Sequence, residues 1–461
     1  MKLPLVTLVV LAVAASAARA QSIDEFVNQQ MAQRHIPGLA VAVIRDGKVV
    51  VAKGFGKANV ELDVPATENT VFQLASVTKQ FTATAILLLV QDGKLALDDK
   101  VSARVPNLPA AWANVTIRQL LTHTSGVKNY TETKDFGKRS RYDFTQDEML
   151  KLVADAPLDF PSGSKFNYSN TGYFLLGLVI EKASGKLYGE FVQQRIFQPL
   201  GMTATRFNDI HAIVKNRAAG YSWDGKVLQN ADFASPTQPF SAGGLISTIT
   251  DMIKWDAALN SDKILPKAVL ESMWTATKLT DGSETGYGFG WGVQTKKGHR
   301  VISHSGGIDG FSTDIQRLVD DQVTVIVLAN SDTAQAERIS QGIAAIYVPA
   351  VAEEPKVAIE DKSPEVTAKL RAFLDRAVAG TVDREEFTAP AQTFFFPDRI
   401  LQLKEFVGSL GAIRSFELIE EEVRGENRRR RYRVTGASGA ALIGWVLAPD
   451  GKIVGIGINP E

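Results

Sequence analysis

Apolar positions divide this chain of 461 residues into blocks of different period. Ile23 to Arg34 carries helical spacing. After it, Leu39-Ala40-Val41-Ala42-Val43-Ile44 and Val49-Val50-Val51-Ala52 flank Asp46-Gly47-Lys48, which predicts a β-hairpin. Lys79 to Val90 is apolar nearly all round and stops at Gly93, the pattern of a buried helix with a glycine cap. From Val77 to about Ile346 the periodic segments are mostly helical, and Thr248-Ile249-Thr250-Asp251 has capping-box spacing ahead of Met252. Strand signals return at Gly290–Gln294, Arg300–Ser303, Thr313–Leu318 and Val323–Leu328. The late strands are expected to complete a sheet with the early hairpin, leaving a helical region inserted between them. A cleft where sheet meets helices is the expected place for a site.

Near Val351 to Pro364 the texture turns polar and proline-punctuated, which predicts a linker over 351–364. Helices are expected over about Glu365–Val378 and Arg399–Leu410, then strands at Phe416–Val423, Arg429–Thr435, Ala440–Leu447 and Ile453–Ile458, with Pro449-Asp450-Gly451 as the last turn. Residues 365–461 therefore read as a small α+β domain ending in an antiparallel meander. At the other end, Lys2, an apolar run from Leu3 to Ala18, and Ala18-Arg19-Ala20 before Gln21 match a secretory signal cut after Ala20, which implies a periplasmic or secreted protein. The run is short for a membrane span, so no stable anchor is expected after cleavage. The main domain then covers 21–350.

Charge and cysteine content narrow the chemistry. Loss of Lys2 and Arg19 leaves 49 basic against 51 acidic residues, a balance that attracts neither nucleic acid nor anionic membrane. The run Arg428-Arg429-Arg430-Arg431 follows Glu420-Glu421-Glu422 across a turn at Gly425, so its charges are expected to pair across the ladder. With no cysteine, disulfides, thiolate metal sites and a cysteine nucleophile are excluded together. No pair of histidines has metal-ligand spacing and no Gly-x-Ser-x-Gly elbow occurs, so neither a metal nor any other cofactor is expected.

Candidate chemistry begins at Ser76-Val77-Thr78-Lys79, where i and i+3 place a hydroxyl and an amine on one face at the mouth of the apolar helix. A serine is a weak nucleophile until a base takes its proton, and a lysine serves only where burial keeps it partly neutral. A second copy, Ser162-Gly163-Ser164-Lys165, follows Pro161 and reads as a solvated turn. Tyr168-Ser169-Asn170 stands between a loop and a helix, where side chains can point into a cleft. A tyrosine beside a cationic lysine is expected to have its pKa lowered and to relay a proton, and Asn170 can offer a donor and an acceptor to an amide. Taken singly, Tyr168 reads as a packed aromatic and Asn170 as a helix cap. His304-Ser305-Gly306-Gly307 ends a strand, where glycines permit close backbone approach and a free N–H can face an oxyanion.

Together these three motifs, in this order and approximate spacing, resemble those of serine β-lactamases and penicillin-binding proteins, in the class C β-lactamase-like branch that includes D,D-carboxypeptidases, D-aminopeptidases and esterases. Leu120-Leu121-Thr122-His123-Thr124-Ser125-Gly126 and Ala242-Gly243-Gly244-Leu245 look like that branch as well, and the resemblance covers about Ile23 to Ile346. It implies an α+β fold with an antiparallel sheet flanked by helices, and an acyl-enzyme on Ser76. It further implies that Lys79 and Tyr168 share activation of Ser76, with Tyr168 also protonating the leaving group. Asn170 would bind a substrate amide beside His304, Ser305 and Gly306, and the N–H groups of Ser76 and Gly307 would form the oxyanion hole. The carboxy-terminal region resembles the small cystatin-like or NTF2-like domains appended to some such hydrolases. His304 departs from the lysine of the β-lactamase pattern, so a permanent cation is replaced by a group charged part of the time near neutrality, which fits peptidase and esterase relatives. His123 is expected to hydrogen-bond its loop; His35, His211 and His299 read as isolated and superficial. The leading reading is an exported serine hydrolase acting on a D-amino-acid peptide, an ester or amide, or a β-lactam. The competing one is a penicillin-binding-type sensor that acylates without efficient turnover, and the small domain is left with a partner or a cleft-covering role.

Overall fold

The computed structural model describes residues 22–460 except 134, 135, 137–139 and 355; the expected signal segment lies outside them. The chain divides into two compact units at Ala352/Glu353.

In the first unit, α1 (Ile23–Arg34) leads into β1 (Gly38–Arg45) and β2 (Lys48–Asn59), and a short β3 (Val64–Pro65) closes that edge. The late strands β4 (Gly292–Lys296), β5 (His299–Ile308), β6 (Phe311–Leu318) and β7 (Val323–Ala329) join them in one antiparallel sheet, ordered β3-β2-β1-β7-β6-β5-β4. The sequence expectation of a sheet built from both ends of the unit holds, with Val41 opposite Val327. Its central strands are apolar without alternation because both faces are covered. Leu39, Val41 and Val43 pack with Ile339 and Ile343 of α5 (Ala336–Tyr347), while Ala40, Ala42 and Ile44 pack with the inserted helical region.

That insert is built round α2 (Thr78–Gln91), in which every residue from Thr78 to Leu89 is buried. Each fully buried leucine contributes about 1.5–3 kcal/mol. Most of the helix's buried polar atoms are bonded: Thr82 Oγ1 donates to Ser241 O at 2.7 Å and Gln80 Oε1 accepts from Trp255 Nε1 at 2.9 Å, while Gln80 Nε2 has no partner among the described residues. Trp255 belongs to α4 (Ile249–Leu259), where Thr248 accepts from Asp251 N at 3.1 Å, the cap half of the expected capping box. Beside α2 lies α3 (Asn170–Ser184), whose Gly177 lets the Phe240–Gly243 turn approach so closely that a Cβ there would sit 2.1 Å from Ser241 Oγ.

In the second unit, α6 (Pro364–Ala379), α7 (Ala389–Phe395) and α8 (Asp398–Ser409) accompany an antiparallel meander, β8 (Ser415–Arg424), β9 (Asn427–Thr435), β10 (Ala440–Leu447) and β11 (Ile453–Pro460). Helix α7 was not expected from sequence. The stretch before α6 holds no helix or strand among its described residues, and Ile359 N–H donates to Leu418 O at 2.8 Å. The expected cross-strand pairing is present, with Glu420 opposite Arg431 and Glu422 opposite Arg429. Arg430 departs from a solvated face: strand alternation turns it inward, where it is fully buried against Asp361 and Glu421.

Candidate active site

Ser76 sits in a tight turn, Ala75–Val77, that runs directly into α2. Ala75 has φ of +46°, a left-handed conformation that costs a residue with a Cβ, so the nucleophile turn is locally strained. The strain is held from two sides. β5 lies against the turn at Gly306, where a Cβ would meet Leu74 O at 2.3 Å and Ser76 N at 3.1 Å. At Gly307 the same construction meets nothing within 4 Å, so the strand opens to the cleft there.

One helical turn on, Lys79 is fully buried and its Nζ makes three contacts: Ser76 Oγ at 3.0 Å, Asn170 Oδ1 at 2.9 Å and Ala242 O at 2.8 Å. Carbonyl oxygens only accept, so Nζ donates to both Asn170 and Ala242, and the Ser76 hydroxyl is its third contact. No carboxylate pairs with Lys79 among the described residues, and burial pulls its pKa well below the ordinary lysine value.

Tyr168 covers this amine, with Lys79 Nζ 4.8 Å from its ring centroid. Its hydroxyl is buried without a well-formed hydrogen bond; contact with Ser76 draws the phenol pKa down a little, but burial dominates and raises it. Asn170 opens α3, whose cap is Ser169, with Oγ accepting from Gly172 N. Asn170 N–H in turn donates to Asn129 Oδ1 at 3.1 Å. Behind Tyr168 stands His123, ring centroids 4.2 Å apart. Its Nδ1 accepts the Ser169 N–H at 3.1 Å and its own carbonyl accepts from Asn167 N at 2.9 Å, so it bonds the loop that carries Tyr168, as expected. Burial, with Lys79 next, pushes the His123 pKa well below its ordinary value.

His304 is buried on β5. Its Nδ1 lies 2.7 Å from Ser305 O, an obligate acceptor, so Nδ1 carries the proton, and Nε2 accepts from Tyr287 OH at 2.9 Å. Burial, then the Lys79 charge, lower its pKa to about 3. In front of these groups opens a cleft of about 340 Å³ lined by Ser76, Asn170 and Gly307 with Tyr130, Phe136 and Pro239. Among the described residues no cluster of side chains is arranged to hold a metal ion.

Residues 23–347 match the family described as Beta-lactamase. The chain belongs to the β-lactamase family. Penicillin-binding protein 4* of Bacillus subtilis is 32% identical over 320 residues, spanning 66% of this chain and 70% of that protein. Among solved structures, an octameric penicillin-binding protein homologue from Pyrococcus abyssi has a TM-score of 0.64 at 25% identity, covering 95% of this chain and 98% of its own. The D-amino acid amidase of Ochrobactrum anthropi SV3 has a TM-score of 0.61 at 25% identity, covering 71% of this chain and 97% of its own. The chain is thus a serine hydrolase of the β-lactamase family.

Within this β-lactamase-family site, three expectations change. Tyr168 is not acidified by a cationic lysine; burial raises its pKa and the lysine is itself pulled toward neutrality. His304 is neutral near pH 7 rather than partly charged. Ser169, not Asn170, caps the helix. The second Ser-x-x-Lys copy is a turn as read, with Ser162 Oγ donating to Ser125 O at 2.7 Å. His299 and His35 are not isolated: the first pairs with Asp321 at 2.9 Å and the second stacks on Trp223. Sequence reasoning missed Tyr287, although the alternation Tyr287-Gly288-Phe289-Gly290-Trp291 marked an unusual aromatic stretch. It also missed Asn129, and Tyr130 in the cleft wall. No helix among the described residues is long and apolar enough to cross a membrane.

Proposed function

We propose that this chain is an exported hydrolase that forms an ester on Ser76 Oγ and then hydrolyses it, acting on an amide, an ester or a β-lactam within a peptide-like substrate. The observation that carries the reading is the bonding of Lys79, which donates to Asn170 and Ala242 and makes its third contact with the Ser76 oxygen. In that arrangement Lys79 takes the serine proton as Oγ attacks the carbonyl carbon. The N–H groups of Ser76 and Gly307 receive the developing oxyanion. Tyr168, kept as a neutral phenol, is the proton donor to the leaving atom. Asn170, besides holding Lys79, meets the substrate amide, and His304-Ser305-Gly306 lines the strand along which the substrate extends. The Lys2–Ala20 segment supports export.

The test is mass spectrometry of wild type and Ser76→Ala after exposure to a penicillin, an activated acetate ester and a D-alanyl peptide, with turnover followed in parallel. An adduct of acyl mass on wild type alone, with turnover, is expected. Turnover retained by Ser76→Ala overturns the reading, and an adduct that persists without turnover replaces the hydrolase with a sensor.

A further inference from the structure

Among the described residues the lining of the cleft is charged in one sense. Among its described lining residues the ionisable groups besides Tyr130 are two carboxylates, Asp232 and Asp309, with no lysine, arginine or histidine. Asp232 is answered by an ion pair with Arg141. Asp309 has no hydrogen bond or ion pair among the described residues. It is half-buried in the turn joining β5 to β6, two positions after Gly307 on the strand that borders Ser76. Burial, and then the neighbouring carboxylates Asp232 and Asp332, hold its pKa above the usual carboxylate range. Such a group is stabilised by any cation brought to it and repels an anion. The position that would most simply answer a substrate carboxylate, His304, is neutral and donates its only N–H to Ser305 O.

Resting on the acyl-enzyme reading above, we infer that Asp309 is a specificity-determining residue that pairs with an ammonium group on the substrate, so that the preferred substrates are amides or esters of amino acids or peptides with a free amine near the scissile carbonyl. Tyr130 and Phe136, ring centroids 5.2 Å apart, supply an aromatic wall for an apolar side chain on the same acyl group. A free carboxylate near the scissile bond is disfavoured by the same charge, which separates this chain from hydrolases that select a carboxy-terminal anion.

The experiment compares kcat/KM of the full chain on three p-nitroanilides: phenylalanyl with a free amine, in both enantiomers, 3-phenylpropionyl, which lacks it, and succinyl-phenylalanyl, which is anionic. The expected order is ammonium above neutral above anionic, with about tenfold or more for the first step, the size of a charge-assisted hydrogen bond. In Asp309→Asn the ammonium-to-neutral ratio collapses to within about twofold, the loss falling mainly on KM. A wild-type enzyme without the ammonium preference overturns the inference whether or not the variant folds, and so does a variant that keeps the wild-type ratio. Ser76→Ala separates the two readings: if it hydrolyses these substrates like wild type, the acyl-enzyme reading has failed; if it is inactive while the ratio is flat, only the role of Asp309 has.

Discussion

The phenol of Tyr287 donates to Nε2 of His304 at 2.9 Å, and this bond, with Nδ1 committed to Ser305 O, fixes the imidazole as one neutral tautomer. The lysine of the β-lactamase pattern is replaced here by a hydrogen-bonded neutral ring. That position then lacks the positive charge that the motif usually carries, and the ionised groups among the described lining residues of the cleft form a negative edge.

Acid should loosen the site. His304 has its folded pKa near 3 and His123 is also well below the ordinary ~6.5, so between these values the unfolded chain binds more protons than the native one. The stability gained by keeping the rings neutral is whole above about pH 6.5 and is lost as pH falls below it, by up to about 1.4 kcal/mol per pH unit for each ring. Hydrogen exchange of peptides spanning β5 and the His123 loop between pH 7 and pH 4.5 measures it. His304→Gln should remove one proton's worth of slope, and an unaltered slope would show that His304 does not contribute.

Lys79→Met keeps an unbranched chain in the buried slot and removes the amine that faces Ser76. Loss of a positioned general base costs about 10²–10⁴ in rate. Acylation of Ser76 by an activated ester, followed by stopped flow, should slow by that range while thermal unfolding still shows a folded protein. Acylation at the wild-type rate would remove Lys79 from the mechanism.

Tyr168→Phe separates chemistry from packing. The hydroxyl is buried without a well-formed hydrogen bond, so its removal should leave stability within about 0.5 kcal/mol or raise it. Turnover of an amide, which needs a proton on its leaving nitrogen, should fall about 10²-fold or more, and an ester with a good leaving group should lose much less. Equal losses on both substrates would argue against the proton-donor role.

Asp256→Ala tests what holds the insert to the sheet. Asp256 on α4 accepts from Arg317 of β6 at 2.9 Å and from Thr324 of β7 at 2.9 Å, with both ends of the ion pair buried. Removing one partner leaves an uncompensated buried guanidinium and should cost about 3–5 kcal/mol. A urea midpoint equal to wild type would contradict this.

Much of the architecture was legible because burial writes itself locally. The apolar runs either side of Asp46-Gly47-Lys48 marked the hairpin, and the run after Lys79 marked a buried helix. Arg430 was not legible, since four successive arginines look alike in sequence and only strand alternation, with Asp361 and Glu421 brought against one face, buries one of them. Tyr287 escaped for a similar reason: the aromatic alternation around it is visible in sequence, but it approaches His304 from an irregular segment whose path that alternation does not encode.

Sequence alone determined which groups are available: one hydroxyl and one amine at i and i+3, a Tyr-x-Asn, and a His-Ser-Gly-Gly strand end, all set by covalent order and helical period. Protonation was decided only by tertiary structure. Whether Lys79 is neutral, Tyr168 a phenol and His304 an uncharged imidazole depends on how much water is excluded and on which acceptors arrive from Ala242, Asn170 and Ser305. Desolvation and hydrogen bonding are properties of the packed site, summed over residues far apart in the chain, and no local pattern carries them.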